Sequence, residues 1–340
     1  MKIEQKELEP QLLQVSVAVS AEDYLEIEKK RTSEVRRNAE FKGFRKGMVP
    51  ASLIKKMYGE QILGETVNQV VGEALENYLK EKEYRVIGEP LPSQTQPENE
   101  WIDGNDFNFN FDVAITPEIN LEPSKEDVVT KYNVSATAKE KKDLVERFKK
   151  YQEEDMKKAK EEGKEDKVAK TDEEIEKQVE DSLSSQLSSE ADWKFDKDIR
   201  DYFVKKANLT LPSDFLKRWL IAANKEKLSA EDVEKEYPRF EEDFKWQLVR
   251  SYLFGKYKFE FSQDDIKESA RAYVRYQYAM YGMQDLPDEI LEGSVSEILK
   301  NREQVSRLME NVEEQKVLEK LKGEITVKSK KITSEKFREL

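Results

Sequence analysis

The chain has 340 residues, a length that suits about two domains, with 37% hydrophobic and 39% charged residues. Ordinary globular chains carry roughly 25% charged residues, so the excess points to long helices exposed on several sides or to partial disorder, and the regular apolar spacing below opposes the second. It has no cysteine and no histidine and a net charge of −13, which removes disulfides, thiolate nucleophiles, Cys/His zinc sites and imidazole acid–base chemistry and argues against indiscriminate nucleic-acid binding.

The opening MKIEQKELEPQ lacks the apolar core a signal peptide needs. No apolar run approaches the ~20 residues of a membrane span. The expectation is a cytoplasmic protein with no membrane partner. In QLLQVSVAV, Leu13, Val15, Val17 and Val19 recur at period two, as in a half-buried strand. Ser20, with an acid three residues on, caps a predicted helix over 21–38.

A break at Phe41–Pro50 follows, then helical patterns over 51–58 and 60–83, the second carrying Ile62, Val67, Val70, Val71, Ala74, Leu75 and Tyr78. Residues 90–104 read as a loop, and Phe107, Phe109, Phe111, Val113 and Ile115 alternate as a closing strand. These pieces predict an α+β domain over 1–118 with three helices. Residues 119–138 read as a linker, with a short strand at Tyr132–Val134, and 139–170 as a charged helical segment. A helical body over 171–340 completes the division.

Within the body the apolar spacing predicts helices over about 191–207, 213–227, 230–257 (interrupted at Pro238) and 262–282, the last capped by Ser262. One long helix runs from Pro287 to about Gly323, and a basic, β-leaning tail follows over 324–340.

Charge is unevenly placed. Between Lys29 and Lys56 stand ten Lys/Arg against Glu34 and Glu40, a local excess in an acidic chain. At its centre is Gly43-Phe44-Arg45-Lys46-Gly47-Met48-Val49-Pro50. The glycines set a tight loop and Pro50 suits the start of the next helix. Between them Phe44 offers apolar anchorage, and Arg45 and Lys46 offer charge pairing with carboxylates or phosphates. No Gly-Lys-Ser/Thr follows, which excludes a phosphate-binding loop. By composition alone the loop is equally well a solvated basic connector between two helices.

GFRKGMVP after a helix ending in basic residues closely resembles the ribosome-binding signature of the trigger factor family of bacterial chaperones. The resemblance covers 1–135 and resumes at about 171, most clearly in DWKFDKDIRDYFVKKANLTLPSDFLKRWL. It implies an α+β ribosome-binding domain followed by an elongated, mainly α-helical chaperone domain with arms. It also implies contacts of Gly43, Phe44, Arg45, Lys46, Gly47 and Pro50 with the large ribosomal subunit, at the tunnel-exit ribosomal protein and nearby rRNA. Met48 departs from the family, which often has a basic residue there. The larger departure is at 139–170, where the family usually carries an FKBP-like prolyl isomerase domain. This stretch lacks the strands and aromatic pocket of such a domain, so no catalytic residue is assigned and no enzyme activity is expected.

The implied function is ATP-independent holding of nascent or unfolded polypeptides, with no cofactor and no metal, and with room for a homodimer off the ribosome. Candidate holding residues are the adaptable apolar side chains Trp219, Phe240, Phe244, Tyr273, Tyr276, Tyr278, Met280, Tyr281 and Met283. Any one aromatic on a helix is more often core. The stretch 273–283 is the best candidate for exposure, because no single helix side accommodates all its aromatics. Two rival readings are a periplasmic-type helical holdase, which the docking loop opposes, and a basic-loop RNA-binding adaptor, which lacks interleaved aromatics on a sheet.

Overall fold

The computed structural model describes residues 1–161, 170–224, 228–283 and 285–340, the side chains of 159–161 excepted. Two compact units emerge, Met1–Glu118 with Leu209–Asp243, and Ile119–Asn208 with Phe244–Leu340.

The first unit is built on an antiparallel sheet of β1 (Lys2–Glu9), β2 (Leu12–Val19), β3 (Leu91–Pro92) and β4 (Phe107–Ala114), in the order β1-β2-β4-β3. The period-two residues of β2 and β4 meet in register, Val15 opposite Phe111 and Val17 opposite Phe109. Leu13, Val15, Val17, Phe107 and Val113 then share one core with Leu63, Val67, Val71 and Leu75 of α2 (Ala51–Glu81). The helix α1 (Ala21–Asn38) starts where expected. The Ser20 backbone N–H donates to the Asp23 carboxylate at 2.8 Å, and the Met1 ammonium pairs with the same group.

Two helices were expected over 51–83, and one of 31 residues is found. A lone glycine costs a helix only ~1 kcal/mol relative to alanine, and the apolar face runs unbroken past Gly59. The domain's helices before Glu118 are therefore two, not three. Leu209–Asp243 belongs to this unit through α5 (Ser213–Ala223). Arg218 Nη1 donates to the Asp112 carboxylate on β4 at 2.8 Å, Arg218 Nη2 to the Pro92 carbonyl at 3.1 Å. The Trp219 ring lies against Gly88, where a Cβ would stand 2.6 Å from the indole. The helix expected to 227 is defined to Ala223, and residues 225–227 lie outside the described ones.

In the second unit the stretch expected as a linker is built into the fold. Leu121 is fully buried, and Val128–Ser135 forms β5, longer than the short strand expected there. It pairs in parallel with β6 (Thr326–Thr333), from the β-leaning tail. The helices are α3 (Ala138–Glu161), α4 (Asp172–Ala207), the later part of α6 (Ala230–Lys256), α7 (Gln263–Met280), α8 (Asp288–Lys300), α9 (Arg302–Glu324) and the short α10 (Ser334–Phe337). Of the charged segment 139–170, residues 162–169 lie outside the described ones.

Three boundaries differ from expectation, the first being α4, which begins at Asp172 and not near 191. α6 runs through Pro238 without a break, losing the one bond that proline cannot donate. The long final helix is instead a pair. Asn301 ends α8 and caps α9, its side-chain oxygen accepting from the Glu303 and Gln304 N–H groups at 3.0 and 3.2 Å, which is what asparagine does best at that position.

Candidate functional site

The basic loop is held at its roots and open at its tip. Val49 is completely buried in a small cluster with Ile54 and Ile62, against which Val35, Ala39, Phe41 and Leu53 pack. Arg36 Nε donates to the Val49 carbonyl at 2.7 Å, so one of the ten cations is a strut. Phe41 sets its ring edge-on to Tyr58 at 6.2 Å. Between these anchors the chain makes two tight turns, Phe44 N–H to Phe41 O at 3.1 Å and Met48 N–H to Arg45 O at 2.8 Å. Gly43 (φ 92°) and Gly47 (φ 80°) hold left-handed conformations that a side chain would strain. Pro50 sits at the N-terminus of α2, its carbonyl accepting from Leu53 and Ile54.

Phe44 is 43% exposed, a large apolar side chain facing water. Arg45 and Lys46 are exposed beside it. Lys46 makes a single loose pair with Glu40 at 3.6 Å, itself open to solvent. Lys42, Arg45 and Lys56 make no ion pair among the described residues. Lys55, by contrast, is bound to Asp103, and that hydrogen bond raises its ammonium above its ordinary value. Met48 is exposed next to the tip. The arrangement presents one apolar and two cationic groups on a rigid frame, a geometry that suits an acidic or phosphate-rich surface.

The candidate holding residues do not form one group. Trp219 is half-buried on Gly88, Phe240 is half-buried with its ring 6.1 Å from that of Tyr237, and Phe244 is half-buried too. Those three are parts of the fold. On α7 the helical period sorts the rest. Ala270, Val274 and Tyr278, four apart, face the cluster of Leu291, Val295, Ile298 and Leu308, with Tyr278 half-buried there. Tyr273, Tyr276 and Met280 share another, exposed side. The helix ends at Met280, and Tyr281, 83% exposed, and Met283 lie beyond it on either side of Gly282 (φ 80°). Tyr276 at 65% exposure is far outside what a core aromatic shows.

A family model described as bacterial trigger factor protein matches residues 1–148, and one described as probable trigger factor, C-terminal domain, matches residues 191–340. The chain belongs to the trigger factor family. Proteins named trigger factor are similar over its sequence: that of Maricaulis maris at 35% identity over 97 residues, 28% of this chain and 19% of that protein. Those of Jannaschia sp. and Alkalilimnicola ehrlichii match at 33% over 104 residues (31% and 23%) and 29% over 140 residues (41% and 30%). The aligned stretches thus span less than a third of these family members' own length. The fold is also the family's. A structure from a study of promiscuous substrate recognition in folding and assembly activities of the trigger factor chaperone superposes with a TM-score of 0.54. Its sequence identity is 15%, and the match covers 94% of this chain and 99% of that one. The two family models leave only residues 149–190 between them.

Proposed function

We propose that this chain is a ribosome-associated chaperone of the cytoplasm that docks through Phe44, Arg45 and Lys46 at the polypeptide exit and holds emerging chains without ATP. The observation that carries this reading is the tip itself, an exposed phenylalanine with two cationic neighbours between left-handed glycines, in a chain otherwise strongly acidic. A tether of this kind acts by charge and one apolar anchor, so it should release as salt rises. Changing Phe44, Arg45 and Lys46 together to alanine should abolish co-sedimentation with large ribosomal subunits at moderate salt. Equal pelleting of the variant and the parent chain would remove the docking reading.

The holding surface in this reading is Tyr273, Tyr276, Met280, Tyr281 and Met283. Apolar burial is worth ~25 cal/mol per Å² and association costs offset much of it, so clients are held weakly and released readily. Making Tyr276, Met280 and Tyr281 polar should weaken suppression of aggregation of an unfolded client with the fold unchanged; undiminished suppression would move the surface elsewhere. We assign no isomerase activity, since the 42 residues between the two matched regions are far fewer than a small domain of ~100 residues needs. Refolding of a proline-limited client should gain no rate from the chain, and a clear acceleration would reverse that assignment.

A further inference from the structure

The two-stranded sheet of the second unit ends in an open edge. β5 is the only strand paired with β6 among the described residues. The Thr326 N–H donates to the Asp127 carbonyl on the β5 side at 2.8 Å. Because successive residues of a strand turn their backbone groups to opposite sides, Val327, Ser329, Lys331 and Thr333 turn theirs away from β5. No backbone hydrogen bond joins those residues to another element among the described residues. Along the eight residues of the strand, these alternate positions thus present a row of unmet donors and acceptors.

That edge is also strongly cationic. Lys328, Lys330 and Lys331 are all exposed, and none makes an ion pair among the described residues. The long edge of β1 in the first unit differs. On β1, Lys2 and Lys6 alternate with Glu4, Glu7 and Glu9, and Lys2 is paired with Glu4 at 2.5 Å. A chain of net charge −13 has placed three free lysines along one strand edge.

Lysines on an exposed edge ordinarily prevent edge-to-edge association. The same row sets which strand can still add. A second copy of β6 would bring lysine against lysine, and a basic strand would be repelled likewise. A strand bearing carboxylates would satisfy the backbone edge and the three ammonium groups together. We propose that the open edge of β6 binds extended, acid-rich polypeptide segments by strand addition, with Lys328, Lys330 and Lys331 selecting for carboxylates. The main chain supplies the pairing and the lysines supply the preference. This site does not depend on the docking loop, so it stands or falls apart from the ribosome reading.

The test uses the full chain and a short fluorescein-labelled peptide alternating glutamate and threonine, long enough to span β6, followed by fluorescence anisotropy. Saturable binding that weakens with salt is expected, with at least tenfold less for a lysine–threonine peptide. An acidic peptide of the same sequence, N-methylated at alternate residues along its pairing edge, should also bind at least tenfold more weakly. Changing Lys328, Lys330 and Lys331 to glutamate should invert the preference, so that the variant gains the lysine–threonine peptide; that gain also demonstrates an intact edge. The chain with Phe44, Arg45 and Lys46 changed to alanine should bind the acidic peptide as the parent does. Equal binding of the N-methylated peptide would reduce the effect to charge alone and overturn strand addition. An uninverted preference, no binding at all, or loss of binding in the loop variant would overturn the site.

Discussion

Replacing Arg218 by alanine should destabilise the first unit by about 3 kcal/mol, the low end of what breaking a buried ion pair costs. The Asp112 side chain is only 4% exposed, and its Oδ2 accepts from Arg218 at 2.8 Å. Its other oxygen is buried with no partner. Arg218 is therefore the group that makes this carboxylate tolerable inside the fold. Arg218 itself is partly exposed, 29% for its side chain, which is why the low end applies. The loss is uneven. Removing the guanidinium strands a charge, whereas removing both partners strands nothing.

The decisive comparison is a double-mutant cycle in urea. Arg218→Ala alone should shift the transition of this unit strongly, and Asp112→Ala added to it should recover a large part of the loss, giving a coupling of ~2 kcal/mol. Because the chain has two compact units, unfolding is followed by the hydrogen-exchange protection of α5 and β4 rather than by one global signal. If Arg218→Ala costs under about 1 kcal/mol, or the second substitution recovers nothing, the pair is an ordinary surface contact. Then Trp219 on Gly88 would be what fastens Leu209–Asp243 to the sheet.

That clasp also shows where the sequence stops being legible. The strands β2 and β4 could be read because period two survives in Val15, Val17, Phe107 and Phe109 whatever their partners are. Ser20 and Ser262 could be read because a cap acts within four residues. The basic loop was legible for the same reason, its two glycines and proline dictating a local conformation. Asp112 and Arg218 are 106 positions apart, and nothing local in either marks the other. The same holds for β5 and β6, whose parallel register joins Val128 to Thr326; no turn could announce it, so β5 read as a linker with a short strand in it.

Other misreadings came from over-weighting single residues. Gly59 and Pro238 looked like breaks, yet each lies inside a helix whose apolar face continues on both sides. Asn301 looked like an ordinary helix residue and was a cap. At the site, Arg36 counted as one more surface cation, although its Nε holds the root of the loop through the Val49 carbonyl. The aromatics of α7 became separable only once the helix had a buried side. Tyr278 falls on that side with Ala270 and Val274, and Tyr273, Tyr276 and Met280 do not.

In the second unit, Lys206→Met should cost about 2–3 kcal/mol near neutral pH and much less at pH 4. Asp127, with its side chain 4% exposed, accepts from Lys206 Nζ at 2.6 and 2.8 Å, from the Tyr202 hydroxyl at 2.8 Å and from the Ser124 N–H at 2.8 Å. Burial pushes this carboxyl up, but the hydrogen bond from Lys206, then those from Ser124 and Tyr202, together with the Lys206 charge, outweigh burial and hold it below the usual carboxylate range. A depressed carboxyl stabilises the fold above its unfolded value of ~3.9 and loses that contribution as pH falls through the folded one. In the parent chain the node is therefore at full strength at pH 7 and begins to fail only in acid.

Lys206→Met removes the strongest influence opposing burial and leaves the Ser124 and Tyr202 hydrogen bonds, so the carboxyl of the variant should rise above its value in the parent. The parent's carboxylate is then the more stabilised of the two, and protonation at lower pH erases that advantage. The gap between parent and variant should narrow steadily from pH 7 to pH 4, which thermal unfolding across that range measures directly. Lys206 is one-third exposed, and solvent screening is the reason for setting the cost below the 3–5 kcal/mol of a fully buried pair. A gap that stays constant with pH would mean that the loss comes from the other contacts of the Lys206 ammonium, with the Phe203 ring and the Glu122 carbonyl, and not from the charge on Asp127. In that case the pairing of Val128–Ser135 with Thr326–Thr333 would not rest on this node.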